Sequence, residues 1–588
     1  MLSQNQFKVI NALNKRSGLT QRELSSETRL SLATVNATCK ECETAGLIES
    51  GRLTIAGIAA LKPYAVDNAV ILAAGLSSRF APISYERPKG LLKVRGEILI
   101  ERQIEQLQAV GIRDIVIVVG YKKESFFYLE DKYGVKIVVN REYASRNNNS
   151  SLMLVHEILD NTYICSSDNY FEENPFESHV WKAYYSAEYA EGFTKEWCIK
   201  TGSHDRITKV TVGGTDAWYM IGHVFFDRAF SAHFREILEA EYDLPQTRDK
   251  LWEDLYVEHI KEFDMQIRRY DQPIIHEFDS LDELRDFDPL FLENLDSEIF
   301  DNIVAVLGCD KSEIHNVYPL KQGLTNLSCH FSTNDGEWVY RHPGVGTELL
   351  IDRAAEKAAL ETARTLGLDN TFVFENPRRG WKISKFIPDC KNLNPKNDAQ
   401  LQKAMTMARQ LHESDATVGR RFSFYDEGKG YERSLLARGP IDVTDWTDME
   451  AQATELHKLL EAESSEPVLC HNDFFSLNFL VEENGNVSLI DWEYAGMSDY
   501  ANDFGTFCVC DQLDEEEMHR ALTHYFGRTP TDAEWRHNLA QVGMAGWCWY
   551  AWSLLKESEG ENVGEWAYIY YRYGKTYLKK ALNLYKQQ

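Results

Sequence analysis

Apolar residues at Phe7, Ile10 and Leu13 fall on one face of a helix. Thr20 stands before Gln21-Arg22-Glu23-Leu24 and predicts a second helix capped by its hydroxyl. Ser31 predicts a third, over 32–45, that stops at Gly46. Residues 47–55 then read as a hairpin. From residue 69 the pattern changes to short continuous apolar runs, at 69–73, 115–119, 136–139 and 163–165, with a helical stretch at 99–110. Runs without alternation predict strands buried on both faces, as in a doubly wound sheet. A third regime begins with a helix at 295–307. Strands are expected at 338–341 and 383–387, a helix at 349–366 between them, and a short apolar run at 487–490. An aromatic helix around 547–552 places Trp549 and Trp552 on one face, and Tyr568 and Tyr571 repeat that spacing.

Length changes this from one fold to several, because 588 residues exceed what a single core organises. With 44% hydrophobic residues the chain can bury sizeable cores. It has no run of about 18 apolar residues, and its first residues lack a signal-peptide core, so a cytoplasmic protein without membrane contact is expected. Eleven scattered cysteines fit reduced core thiols, and Cys39 and Cys42 lack a second pair for zinc. The net charge of −28 argues against coating nucleic acid. It is uneven: residues 1–62 carry +3, leaving −31 for the rest.

Candidate chemistry is densest between 468 and 493. His471, Asp473 and Asn478 form an H-x-D-x-x-x-x-N loop, and the apolar run after it ends on Asp491. Phosphoryl transfer needs an Asp to orient the attacking hydroxyl and accept its proton, and an amide and a second carboxylate to hold magnesium on the phosphates. Asp473 fits the first role, Asn478 and Asp491 the second. Upstream, Gly323, Thr325 and Asn326 lie in a turn suited to cover ATP phosphates, and Arg341 ends the next strand. Glu356 is the candidate ion-pair partner that fixes Arg341.

A second set begins at the strand 69–73. It runs through Ala73, Ala74 and Gly75 into Leu76-Ser77-Ser78-Arg79-Phe80, and Lys89 follows in Pro88-Lys89-Gly90. A strand opening into a small-residue loop lets backbone N–H groups approach a triphosphate, which Arg79 and Lys89 would neutralise. The apolar run ending on Asp168 offers a metal carboxylate, with a helix cap or turn as its plainer reading.

These motifs resemble three families. The head is similar to winged helix-turn-helix regulators. In that fold Ser31, Ala33, Thr34, Asn36 and Lys40 would face a DNA groove, and a docking or dimerisation module is the equal alternative. LAAGLSSRF with PKGLL resembles the nucleotidyltransferases, with Ser77 where a second glycine is commoner. NNNSSL, SSDNYF, Glu196-Trp197 and Leu251-Trp252-Glu253-Asp254 narrow this to the phosphocholine cytidylyltransferases. The resemblance implies CTP as substrate, Mg2+ on Asp168 and on Glu253 or Asp254, and Trp197, Trp218, Tyr219 and Trp252 as walls for a quaternary ammonium. VYRHPG and IDWEYAGMSDYANDFG resemble bacterial choline kinases. That implies ATP, Mg2+ on Asn478 and Asp491, and Asp503 as a bracing carboxylate; it favours Trp549 and Trp552 as a cage for choline, to which spacing adds Tyr568, over an ordinary aromatic core.

The expected architecture is multidomain α/β and α+β: a winged helix-turn-helix head at 1–64, a Rossmann-like nucleotidyltransferase domain at 65–297, and a two-lobed kinase-like domain at 298–588. The expected function is choline to phosphocholine to CDP-choline. The alternatives are the same chemistry on ethanolamine, another amino alcohol or a sugar, or a DNA-binding regulator that senses these metabolites. Neither oligomeric state nor the choice of second metal carboxylate is legible here.

Overall fold

A computed structural model describes residues 2–271, 273–320, 326–344, 351–463 and 466–587. The chain divides into two compact units, Met1–Ile299 and Phe300–Gln588. No helix among the described residues is long and apolar enough to cross a membrane.

The first unit opens with helices α1 (Gln4–Lys15), α2 (Gln21–Thr28) and α3 (Leu32–Thr44). Thr20 and Glu23 form a reciprocal cap on α2, and Ser31 caps α3. The wing is shorter than the pattern suggests, pairing only Ile48–Glu49 with Arg52–Leu53. Thr54 caps a further helix, Ile55–Leu61, so Ile55 starts a helix rather than ending a strand. The head is docked on the nucleotidyltransferase-like domain: Phe7 and Tyr64 pack against Trp181, with ring centroids 5.6 and 5.2 Å away.

The remainder of this unit is built on a seven-stranded sheet ordered Gln266–Arg269, Tyr184–Thr201, Ile207–Phe226, Thr162–Ser166, Asn68–Ala73, Ile115–Val119, Lys136–Val139. The last four strands are parallel. From Asn68–Ala73 the chain builds outward in one direction, then returns to place Thr162–Ser166 on the other side. Strand order reverses there, and such a switch point opens a crevice at the strands' C-terminal ends. The long hairpin made by Tyr184–Thr201 and Ile207–Phe226 has no counterpart in the apolar pattern of the sequence; bulges interrupt its alternation repeatedly.

The second unit pairs a five-stranded antiparallel sheet with a helical lobe. The sheet order is His315–Pro319, Asn326–Thr333, Gly336–Pro343, Lys382–Lys385, Phe372–Glu375. The helix expected at 349–366 runs over Arg353–Thr365 behind an Asp352 cap, and the one expected at 295–307 starts at Glu298. Val468–Cys470 pairs with Gly496–Ser498, and Phe479–Val481 pairs with Val487–Leu489; this frames the stretch that holds the candidate chemistry. Helix Asp532–Ser558 is buried on nearly every side over its middle, which explains its apolar run from Val542 to Ala551.

Candidate active sites

The crevice at the switch point is a cavity of about 400 Å³, lined on one side by Ala74, Gly75 and Arg79 and on another by Tyr185, Trp252 and Glu253. Ala73 ends its strand buried beneath. Ser77 adopts the left-handed conformation at φ 50°, which accounts for the glycine more usual at that position. Lys89 is buried and its Nζ lies 2.8 Å from the Asp168 carboxylate, which also accepts a bond from Ser166 Oγ at 2.6 Å. Burial opposes the charge of Asp168, but Lys89 outweighs it and holds the carboxyl below its usual range. Arg79 is exposed and pairs with Asp279 at 2.5 Å.

No motif in the sequence marks Glu277. It lines the same cavity, and burial together with the charge of Asp168 pushes it up to about 7. The cause is a strand pairing: Ile275–Glu277 runs antiparallel to Asn169–Phe171 with Glu277 opposite Asn169, one residue from Asp168. Glu253 is elsewhere on the lining. It accepts from Asn148 Nδ2 at 3.2 Å and from the Tyr185 hydroxyl at 3.4 Å, and burial raises it to about 7. Its neighbour Asp254 is turned to the backbone of Leu251 as a helix cap. Trp252 stacks on Tyr185 at 6.0 Å. Trp197 and Trp218 do not line the cavity: both lie farther along the long hairpin, Trp218 against Tyr189 and under Arg269. The hairpin carries them outward.

In the second unit, Arg341 joins three carboxylates: Glu356, Asp491 at 2.7 Å and Glu493 at 3.7 Å. Glu356 is fully buried and also pairs with Arg353 at 2.7 Å and Lys382 at 3.5 Å. Lys382 faces Arg341 across the sheet, a buried cation that no motif in the sequence marks. Asn478 Nδ2 donates to the Asp473 carboxylate at 2.8 Å. Burial, then the charge of Asp491, pushes Asp473 up to about 8. Asp491 sits at φ 69°, a conformation that costs a non-glycine residue about 1–3 kcal/mol and turns it sharply off its strand. Asp503 accepts the backbone N–H groups of His471 and Asn472 at 3.1 and 2.6 Å, so its carboxylate sets the backbone that carries Asp473.

Trp549 is buried behind this loop and donates to Thr506 Oγ1 at 3.2 Å, which in turn donates to the carbonyl of Asn472 at 2.9 Å. Its ring meets Tyr494 at 5.5 Å and Trp552 at 6.3 Å. Tyr568 is a correction: it is 65% exposed on helix Trp566–Lys586 and walls nothing. The tyrosine on the inner face is Tyr570, buried and within the field of Asp473. Gly323 and Thr325 lie outside the described residues, as does the side chain of Asn326.

Three family models match the chain: a winged helix-turn-helix DNA-binding model over 2–49, a MobA-like NTP transferase domain over 69–189, and the phosphotransferase enzyme family over 316–537. The choline-phosphate cytidylyltransferase of Streptococcus pneumoniae is 36% identical over 218 residues, 37% of this chain and 95% of that protein. The 2-aminoethylphosphonate cytidylyltransferase of Lancefieldella rimae is 33% identical over 225 residues, 38% of this chain and 92% of that one. The crystal structure of the choline kinase LicA from Streptococcus pneumoniae covers 48% of this chain and 98% of its own, at 24% identity and a TM-score of 0.42.

Proposed function

The chain belongs to the choline-phosphate cytidylyltransferase family and is a nucleotidyltransferase joined to a kinase; from this we propose that it converts choline to phosphocholine with ATP and then, with CTP, to CDP-choline and pyrophosphate. One observation carries the choice of acceptor. Glu253 is a half-buried carboxylate with no Lys or Arg ion-pair partner among the described residues, set against the stacked rings of Tyr185 and Trp252. A carboxylate partly withdrawn from water without a cation is disfavoured in its charged form, as its raised pKa shows. A trimethylammonium group supplies the missing charge, donates no hydrogen bond, and is held by aromatic faces.

In the kinase half, Asp473 takes the proton of the choline hydroxyl as it attacks the γ-phosphorus, and Asn478 keeps its carboxylate in place. Arg341, fixed by Glu356, meets the phosphates. Tyr494, Tyr570 and Trp549 offer aromatic faces near Asp473 in place of Tyr568. In the transferase half the phosphocholine oxygen is already ionised at neutral pH and needs no base. Lys89 and Arg79 orient the triphosphate and neutralise charge as pyrophosphate leaves, while the Ala74–Gly75 turn lets backbone N–H groups approach it. The all-oxygen donor sets fit Mg2+: Asn478 with Asp491, and Asp168 with Glu277, the latter replacing Glu253 in that role. Magnesium bound there would offset phosphate charge in both transfers.

The test is incubation with ATP, CTP, Mg2+ and choline while following CDP-choline, run against ethanolamine and 2-aminoethylphosphonate. Equal or faster turnover of either primary amine would sink the choline assignment.

A second reading concerns the head. Ala33 and Lys40 of α3 and its cap Ser31 are exposed, and Thr34 and Asn36 are half-buried, which leaves a face for a groove. A gel shift at physiological salt decides it: no sequence-specific duplex binding, with or without CTP, removes DNA from its role.

A further inference from the structure

A second cavity, of about 460 Å³, lies between the head and the nucleotidyltransferase domain inside the first unit. Its walls come from α1, α2, the segment around Trp181 and the edge strand Gln266–Arg269. Six cations reach it, Lys8, Lys15, Arg16, Lys182, Arg268 and Arg269, against three acids, Glu27, Glu177 and Asp205. In a chain of net charge −28 that excess is a local reversal of sign. Glu177 accepts from Lys15 at 3.0 Å and Arg268 at 3.5 Å, and Asp205 pairs with Arg269 at 2.8 Å. Arg16 and Lys182 pair with Glu23 and Asp264. Lys8 has no ion-pair partner among the described residues.

The other half of the observation is neutral. Asn11 lines the cavity, is 6% exposed, and its side-chain oxygen has no hydrogen-bond donor among the described residues. A buried acceptor left unpaired costs about 1–3 kcal/mol, so a ligand N–H placed there is favoured. Phe7, Trp181 and Tyr184 add ring surface to the same lining.

Cations, aromatic surface and one buried acceptor awaiting a donor describe a ligand with an anionic end and a flat, amine-bearing ring. We propose that this cleft is a regulatory site for a nucleoside phosphate whose base carries an exocyclic amine. The link to catalysis is a single strand. Tyr184 lines this cleft and its neighbour Tyr185 lines the catalytic cavity beside Glu253, because consecutive strand residues face opposite sides of the sheet. A ligand that tightens the head against Gln266–Arg269, which pairs with Tyr184–Ala187, therefore acts on the strand that carries Tyr185.

The test is hydrogen–deuterium exchange on the full chain with millimolar CTP, CDP-choline, ATP, uridine triphosphate or orthophosphate in turn. Amine-bearing nucleotides should slow exchange in peptides covering 4–16 and 266–269, about tenfold at ten times the dissociation constant. The CTP and ATP arms separate a cytidine from an adenosine ligand. Lys8→Glu and Asn11→Leu should abolish that slowing and leave the CTP response of peptides covering 74–80 as in the parent chain. Lys8 is half-exposed, so its variant stands if Asn11→Leu does not fold. The proposal fails if no nucleotide protects 4–16 and 266–269, if Lys8→Glu keeps the protection, or if uridine triphosphate or orthophosphate protects equally. A missing response at 74–80 in the parent chain would instead count against the CTP site itself.

Discussion

Asp473 is poised by conflict: burial and Asp491 raise it to about 8, and Asn478 opposes them. Its geometry is held by Asp503 and Thr506 through the backbone, so a side-chain change should leave the loop standing. Asp473→Asn is expected to lower the kinase kcat by about 10²–10⁴-fold, the usual worth of a positioned base, with little change in the KM for ATP. Cytidylyl transfer from supplied phosphocholine should be untouched, and assaying both half-reactions on one preparation checks this. The two carboxylates of the other cavity should separate in the same way. Glu277→Gln is expected to raise the Mg2+ concentration for half-maximal cytidylyl transfer by about 10–100-fold, as loss of a metal-supporting group does. Glu253→Gln should instead raise the KM for phosphocholine and leave that for CTP alone. An equal shift in Mg2+ demand from both variants would return Glu253 to the metal.

At the scale of elements, the strongest local commitment is the sheet-to-helix ion cluster of the second unit. Glu356, on helix Arg353–Thr365, neutralises Arg341 and Lys382 from adjacent strands as well as Arg353. Glu356→Ala would remove the one carboxylate that these three buried cations share, a loss of about 3–5 kcal/mol, read as a lower urea midpoint for the kinase unit. A second cluster titrates. His537, on helix Asp532–Ser558, lies between Asp499 and Glu463; burial opposes its charge, but the two carboxylates raise it above its ordinary value. Its contribution is therefore complete below about pH 6.5 and fades as pH rises through the raised value. The urea midpoint should fall across that window in the parent chain and stay flatter in His537→Gln. Elements also show what could be read in advance. Ile115–Val119 matches its apolar run because a parallel strand buried on both faces is local in pattern, and Lys136–Val139 matches as a strand although it is a partly exposed edge. Glu277 was hidden because only a long-range pairing with Asn169 brings it to Asp168. Tyr570 carries no sequence signal because helix Trp566–Lys586 has aromatics on several faces, and spacing alone does not choose the inner one.

At the scale of the molecule, the described residues of each proposed centre come from one unit. Ala74, Arg79, Lys89, Asp168, Glu253 and Glu277 lie within Met1–Ile299; Arg341, Glu356, Asp473, Asn478 and Asp491 lie within Phe300–Gln588. That division was legible in outline because each motif set is contiguous in sequence, whereas the docking of the head was not: it depends on Trp181, an isolated tryptophan far from residues 2–64. The consequence is that the two reactions are separable. Ser297 and the backbone of Ile299 are tied to Glu86, while the helix Glu298–Leu307 begins before the division, so overlapping pieces 1–299 and 298–588 keep both local structures. The first should make CDP-choline from phosphocholine and CTP, and the second phosphocholine from choline and ATP, each with kcat/KM within about threefold of the full chain, a difference of less than about 1 kcal/mol in transition-state stabilisation. A folded but inactive piece would mean that its centre borrows a residue from the other, and that the chemistry drawn from each unit by itself is incomplete.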